Sequence, residues 1–126
     1  MSDKKNKVLL VEDDEMLAEM YHTKFDHDGF DVLMAYDGVS ALEKAKEKDI
    51  EIILLDVILP KLDGFSVLEQ LKKEKETKNI PVIMLTNLGQ DDDIEKAKKL
   101  GAVDYLVKAN LTPQQVVDKV CEVLKK

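Results

Sequence analysis

Two aliphatic runs in this chain stop abruptly at acid. Lys7-Val8-Leu9-Leu10-Val11 runs into Glu12-Asp13-Asp14, and Ile52-Ile53-Leu54-Leu55 runs into Asp56. Three carboxylates gathered in a partly desolvated place repel one another by several kcal/mol unless protonation or a cation relieves them. A divalent metal that prefers oxygen is the natural relief. Magnesium is commonly held by one or two carboxylates plus a phosphate, so Asp13 and Asp56 suit direct ligation, with Glu12 acting through water. Two more polar residues close apolar runs, Thr86 after Val82-Ile83-Met84-Leu85 and Lys108 after Tyr105-Leu106-Val107. Metal, lysine and a hydroxyl around one carboxylate form a phosphoryl-transfer site, because a loose transition state needs alignment and neutralisation of its equatorial oxygens. Asp56 is then the nucleophile, and an acyl phosphate is what it forms.

Other chemistries fit poorly. His22 and His27 fall in the first helical segment and Cys121 in the last, without the spacing of zinc ligands. Neither histidine lies near a strand end that could present it to a serine or cysteine nucleophile, and a Walker-type phosphate loop is absent.

The elements that must position these residues read as five repeats of strand then helix. The strands are Lys7 to Val11, Phe30 to Ala35, Ile52 to Asp56, Pro81 to Thr86 and Asp104 to Val107, rich in Val, Ile and Leu. The first, third and fourth are apolar without alternation, as strands are when helices cover both faces of a parallel sheet. The last helix opens with Thr112 as N-cap, Pro113 at the first helical position and Gln115 completing a capping box. Its buried stripe is Val116, Val120, Val123 and Leu124. Gly29 and Gly101 follow the first and fourth helices, where a left-handed residue is usual. Asp14 reads as a helix cap, Asp91-Asp92-Asp93 as a cap plus acidic first turn of the fourth helix, and Met16, Met20 and Met84 as core filler. Alternating units with short connections imply right-handed crossovers and an open, doubly wound α/β sheet. In such sheets ligands bind beyond the carboxyl ends of the strands, where the acids stand.

A chain of 126 residues suits one domain, taken as residues 1–126 with residues 1–6 as a flexible N-terminus. Its 44% hydrophobic and 36% charged residues are those of a soluble globular protein. No apolar run approaches the ~20 residues that span a bilayer, so no membrane contact is expected. The N-terminus lacks a signal-peptide core, and Cys121 is alone, which together place the chain in the cytoplasm. A net charge of -7 opposes direct binding to nucleic acid. All 19 basic residues are lysine, so the forked side chain best suited to phosphate or guanine is missing.

The acid pair in LLVEDDE, the acceptor in LLDVILPKLDG, the threonine in VIMLTN and the lysine in DYLVKA resemble the receiver domain of bacterial two-component response regulators, over essentially the whole chain. The resemblance implies a (βα)5 flavodoxin-like three-layer sandwich with strand order 2-1-3-4-5. Glu12 and Asp13 look like its metal-binding acids and Asp56 like its phosphorylated aspartate, with the backbone carbonyl of Ile58 completing the shell of a Mg2+ ion for which Mn2+ can substitute. Thr86 and Lys108 would bind the phosphoryl group. Tyr105 falls at the aromatic switch position that, with Thr86, reports phosphorylation to the face formed by the fourth helix, fifth strand and fifth helix, where a downstream target protein docks. The phosphodonor would be a phosphohistidine on a sensor histidine kinase or a histidine phosphotransfer protein, and no separate substrate would be turned over.

This sequence departs from the family pattern at two places. Ala109 follows Lys108 where proline is usual, and a non-proline cis bond there would cost about 3 kcal/mol. Asn87 stands beside Thr86 in place of a smaller residue, next to the space into which Tyr105 would turn. Ile58 and Leu88 are apolar at positions that influence how fast water attacks the acyl phosphate, which implies slow hydrolysis. Two other readings compete. A haloacid-dehalogenase-like phosphatase also uses a nucleophilic aspartate, but has a second acid two residues on, where this chain has Ile58. An interaction module with a vestigial pocket would have no need of the complete set of acids, Thr86 and Lys108.

Overall fold

The computed structural model describes residues 6–125, so all of the expected flexible N-terminus except Asn6 lies outside the described residues. The aliphatic runs form strands β1 Lys7–Val11, β2 Asp31–Ala35, β3 Ile50–Leu55, β4 Val82–Thr86 and β5 Asp104–Val107. They pair in parallel in the order β2-β1-β3-β4-β5, as implied, which puts β1 beside β3 where the winding reverses. Helices α1 Glu15–His27, α2 Gly38–Lys44, α3 Gly64–Lys73, α4 Asp91–Lys99 and α5 Pro113–Leu124 alternate with the strands.

Side chains alternate across each strand, and both faces are dry. Leu9, Val11, Ile53, Leu55 and Met84 pack against α2, α3 and α4 through Ala41, Val67, Leu68, Leu71 and Ala97. Val8, Leu10, Ile52, Leu54 and Ile83 pack against α1 and α5 through Tyr21, Phe25, Val116, Val117 and Val120. Burial on both faces is why the stretches 8–11, 52–55 and 82–85 of β1, β3 and β4 read as continuous hydrocarbon. No helix among the described residues is long and apolar enough to cross a membrane.

Several local readings hold. Gln115 N–H donates to Thr112 Oγ1 at 3.1 Å while the Gln115 side chain accepts from the Thr112 amide at 2.8 Å, closing the capping box. Asp14 caps α1, accepting from the amides of Met16 and Leu17. Gly29 and Gly101 have φ of 92° and 106°, and each lets a helix end in a Schellman turn.

Others are corrected. Phe30 lies outside β2, because its N–H is taken by the Phe25 carbonyl in the turn that ends α1. Its ring stands edge-on to that of Phe25 at 5.2 Å. β3 starts earlier, at Ile50, which pairs with Lys7, and Asp56 and Pro81 fall just outside β3 and β4. The N-cap of α4 is Gln90 without a side-chain bond, so Asp91, Asp92 and Asp93 serve the helix dipole rather than its cap. Only Met84 of the three methionines named above is core. Met16 is 85% exposed and Met20 40%, because α1 buries the stripe Ala18, Tyr21 and Phe25 and turns positions 16 and 20 outward. In α5, Val116 and Val120 are buried as expected and Val117 joins them, while Val123 and Leu124 are half-buried at the helix end.

Candidate functional site at the carboxyl edge of the sheet

Parallel strands deliver their carboxyl ends to one edge. Just past β1, the Glu12 amide donates to the Ala35 carbonyl at 3.0 Å, and just past β3 the Asp56 amide donates to the Val11 carbonyl at 3.2 Å. These bonds carry the ladder one residue beyond the strands and set the two acids side by side. Glu12 is 2% exposed and Asp56 7%, while Asp13 lies open to solvent. One carboxylate oxygen from each of Glu12, Asp13 and Asp56 lies within 4.8 Å of the others.

Such crowding needs positive charge, and the residue just past β5 supplies it. The Lys108 ammonium donates to Asp56 Oδ2 at 2.7 Å and also to Glu12 Oε1. The other oxygens are held by backbone. Asp56 Oδ1 accepts from the Val57 amide at 2.7 Å and, at 3.4 Å, from that of Ile58, and Glu12 Oε2 accepts from the Asp14 amide at 3.1 Å. Burial pushes the Glu12 carboxyl up, against the pull of its hydrogen bond from Lys108. Burial by itself would lower Lys108, but its bonds to Asp56 and Glu12 prevail and hold it above the ordinary lysine value. With all three acids ionised, three negative charges against one positive leave an excess of two. An all-oxygen donor set with that excess fits a divalent cation such as magnesium.

Thr86 ends β4 at the same edge, buried, its hydroxyl accepting from the Leu88 amide at 3.3 Å. It stands in register with Val107, one residue before Lys108. Ile58, two residues past Asp56, is apolar and 63% exposed. Tyr105 is one step removed. It packs half-buried on the α2–α4 side of the sheet and its hydroxyl donates to the Leu88 carbonyl, next but one to Thr86. Burial, with the charges of Asp93 and Asp56, pushes its phenol up to about 12. The structure thus joins Glu12, Asp13, Asp56 and Lys108 directly, and links Tyr105 to the loop after Thr86.

Two positioning residues escaped the sequence reading. A Cβ on Gly64 would lie 2.1 Å from the Asp56 carbonyl oxygen and 2.7 Å from Val57 Cα. The start of α3 therefore sits directly on the peptide that follows Asp56, with the Gly64 amide bonded to the Val57 carbonyl at 2.7 Å. A Cβ on Gly38, which opens α2, would lie 2.0 Å from the Leu62 carbonyl oxygen. The segment 57–63 is thus clasped between two helix starts. A glycine directly after a capping Asp37 or Asp63 was the available signal, since a helix start has no conformational need of glycine and its presence points to close approach.

The family described as the response regulator receiver domain matches residues 8–120 of the chain. The alkaline phosphatase synthesis transcriptional regulatory protein PhoP of Bacillus subtilis (strain 168) is 37% identical over 95% of this chain and 49% of its own length. The chain spans about half the length of the curated relatives it matches. The solved receiver domain of the Francisella response regulator 1452 superimposes with a TM-score of 0.88 at 33% identity, covering 96% of this chain and 98% of the other. The receiver domain of the sensor histidine kinase PA1611 from Pseudomonas aeruginosa PAO1, which has a magnesium ion coordinated in its active-site cleft, gives 0.87 at 25% identity, covering 98% and 100%.

Proposed function

This chain belongs to the response regulator receiver domain family, and from that premise we propose that it is the phosphoryl-accepting receiver of a two-component phosphorelay, with Asp56 as the acceptor. The observation that carries this reading is the Lys108 ammonium shared between Asp56 and Glu12 at the carboxyl edge of the sheet.

The donor is a phosphohistidine on a sensor histidine kinase or a histidine phosphotransfer protein. A carboxylate oxygen of Asp56 attacks phosphorus, and a P–O bond forms as the P–N bond breaks. The electron pair of that bond goes to the leaving ring nitrogen, and the ring, protonated on its other nitrogen, departs as neutral imidazole. The Val57 and Ile58 amides hold Oδ1 and fix the plane of the carboxylate. Lys108 follows the charge from the carboxylate to the phosphoryl oxygens, and the Thr86 hydroxyl donates to one of them. Asp13, Asp56 and the Ile58 carbonyl would hold Mg2+ or Mn2+, with Glu12 acting through water; when bound, the ion supplies further neutralisation of the phosphoryl group.

Thr86 and Tyr105 then act as the switch, altering the face made by α4, β5 and α5 for a downstream protein. We read residues 1–126 as one receiver unit, cytoplasmic, without a separate substrate to turn over and without direct nucleic acid contact, given its charge of -7. An apolar Ile58 at the position of a second acid speaks against the phosphatase reading.

The acceptor is tested by exposing the protein to acetyl phosphate and magnesium, reducing the acyl phosphate with borohydride and mapping the peptide in which an aspartate has become homoserine. Reduction at Asp56 is expected. Reduction at Asp13 or Asp14 instead would overturn the assignment.

A further inference from the structure

The loop that follows β4 is tied to β5 and to the turn after it at three points. Tyr105 donates to the Leu88 carbonyl, and Gly89 lies against Val107, a Cβ there standing 3.3 Å from Val107 Cγ2. The third tie involves neither the proposed switch nor packing: the Ala109 amide donates to Asn87 Oδ1 at 3.0 Å. Asn87 directly follows Thr86, and Ala109 directly follows Lys108. This bond therefore bridges the two residues that would grip the phosphoryl oxygens, one peptide out from each.

The tie stands where the sheet stops helping. The β4–β5 ladder ends at Thr86 and Val107, and the chain then turns into a single helical turn, Lys108–Asn110. Beyond that point no strand pairing sets the height of Lys108 relative to Thr86. Asn87 and Ala109 are both exposed, so water could satisfy either group, and the bond adds little to global stability. Its consequence is positional. The arrangement also depends on both residue types, since a glycine or alanine at 87 has no side-chain acceptor and a proline at 109 no donor.

Resting on the phosphoacceptor reading above, we infer that Asn87 is a positioning residue for phosphoryl transfer, holding the Lys108 loop against the Thr86 loop through the Ala109 amide. The two ligands then meet the transferring group at a fixed spacing, which matters because misplacement of a neutralising group weakens transition-state stabilisation steeply.

The experiment is a cycle of Asn87→Ala, Ala109→Pro and the double variant, following the rate of labelling by acetyl phosphate in intact-mass spectra, with Ala109 amide exchange by NMR and thermal midpoints alongside. Asn87→Ala is expected to slow labelling roughly three- to tenfold, expose the Ala109 amide to exchange and leave the midpoint nearly unchanged. In the Ala109→Pro background, which has no amide to hold, the same substitution is expected to add no further loss. Labelling of Asn87→Ala at the wild-type rate or faster would overturn the inference, as would an equal loss in both backgrounds. If the wild-type chain takes no label, the phosphoacceptor reading falls and the inference with it. If it labels while Asn87→Ala is silent, only the inference falls.

Discussion

Lys108 faces two buried carboxylates, and its removal has opposite effects on two measurements. In Lys108→Met the acids lose their neutralising partner, and labelling by acetyl phosphate falls ~100-fold or more, as when one preorganised charge-stabilising donor is deleted. Magnesium should bind more tightly to that variant in calorimetry, because a cation no longer competes with the ammonium for Glu12 and Asp56. Weaker binding would mean that Lys108 does not share the acids with a metal. Tyr105 gives a pH prediction whose sign is fixed by its raised value. Its phenol ionises near 10 in the unfolded chain and near about 12 in the folded one, so the stability it contributes is whole below pH 10 and is lost as pH rises towards 12. Tyr105→Phe should flatten that part of the stability curve measured by urea unfolding, and an unchanged slope would remove Tyr105 as its source. Ile58 bears on lifetime. An exposed aliphatic side chain beside Asp56 cannot orient a water by hydrogen bonding, so the phosphoryl group should survive for minutes or longer in the isolated protein and turn over faster in Ile58→Asn. Loss within seconds from the wild-type chain would contradict this.

At the scale of elements, three glycines separate two physical causes. Gly38 and Gly64 sit against backbone at 2.0 and 2.1 Å from a would-be Cβ, so Ala at either must displace a helix start, costing about 2–3 kcal/mol in urea unfolding. Gly29 has open space and only an unfavourable φ, so Gly29→Ala should cost about 1 kcal/mol. Equal costs at all three positions would refute the close-approach account. The same contrast explains what the sequence could reveal. The strand runs were legible because burial on both faces leaves a continuous aliphatic signal, and Gly29 and Gly101 because a left-handed residue ends a helix in a recognisable place. Phe30 misled because its hydrophobicity belongs to the α1 turn rather than the ladder, and the start of β3 was hidden by the exposed Glu51. Met16 and Met20 misled because their residue type suggests a core that the phase of α1 does not give them. Glu12, Asp13 and Asp56 were legible as a group because acids ending aliphatic runs have few other uses. Asn87 against Ala109 was not, since a contact between separate loops leaves no periodic trace, and Gly64 against Asp56 showed only as a glycine directly after a capping acid.

For the molecule as a whole, the site belongs to the sheet rather than to any one segment. Glu12, Asp56, Thr86 and Lys108 follow or end four different strands, and it is the order β2-β1-β3-β4-β5 that makes the first two neighbours. The helices on both faces hold that platform and keep Glu12 and Asp56 largely out of water, where the repulsion between them is strong and Lys108 offsets it. The account therefore stands or falls on chemistry that requires the assembled edge. The most direct measurement is the intact mass of the folded chain after exposure to acetyl phosphate, with and without magnesium, beside Asp56→Asn. The account predicts a gain of one phosphoryl group that depends on magnesium and is missing in the variant. No gain under any condition, or an equal gain in Asp56→Asn, would contradict it.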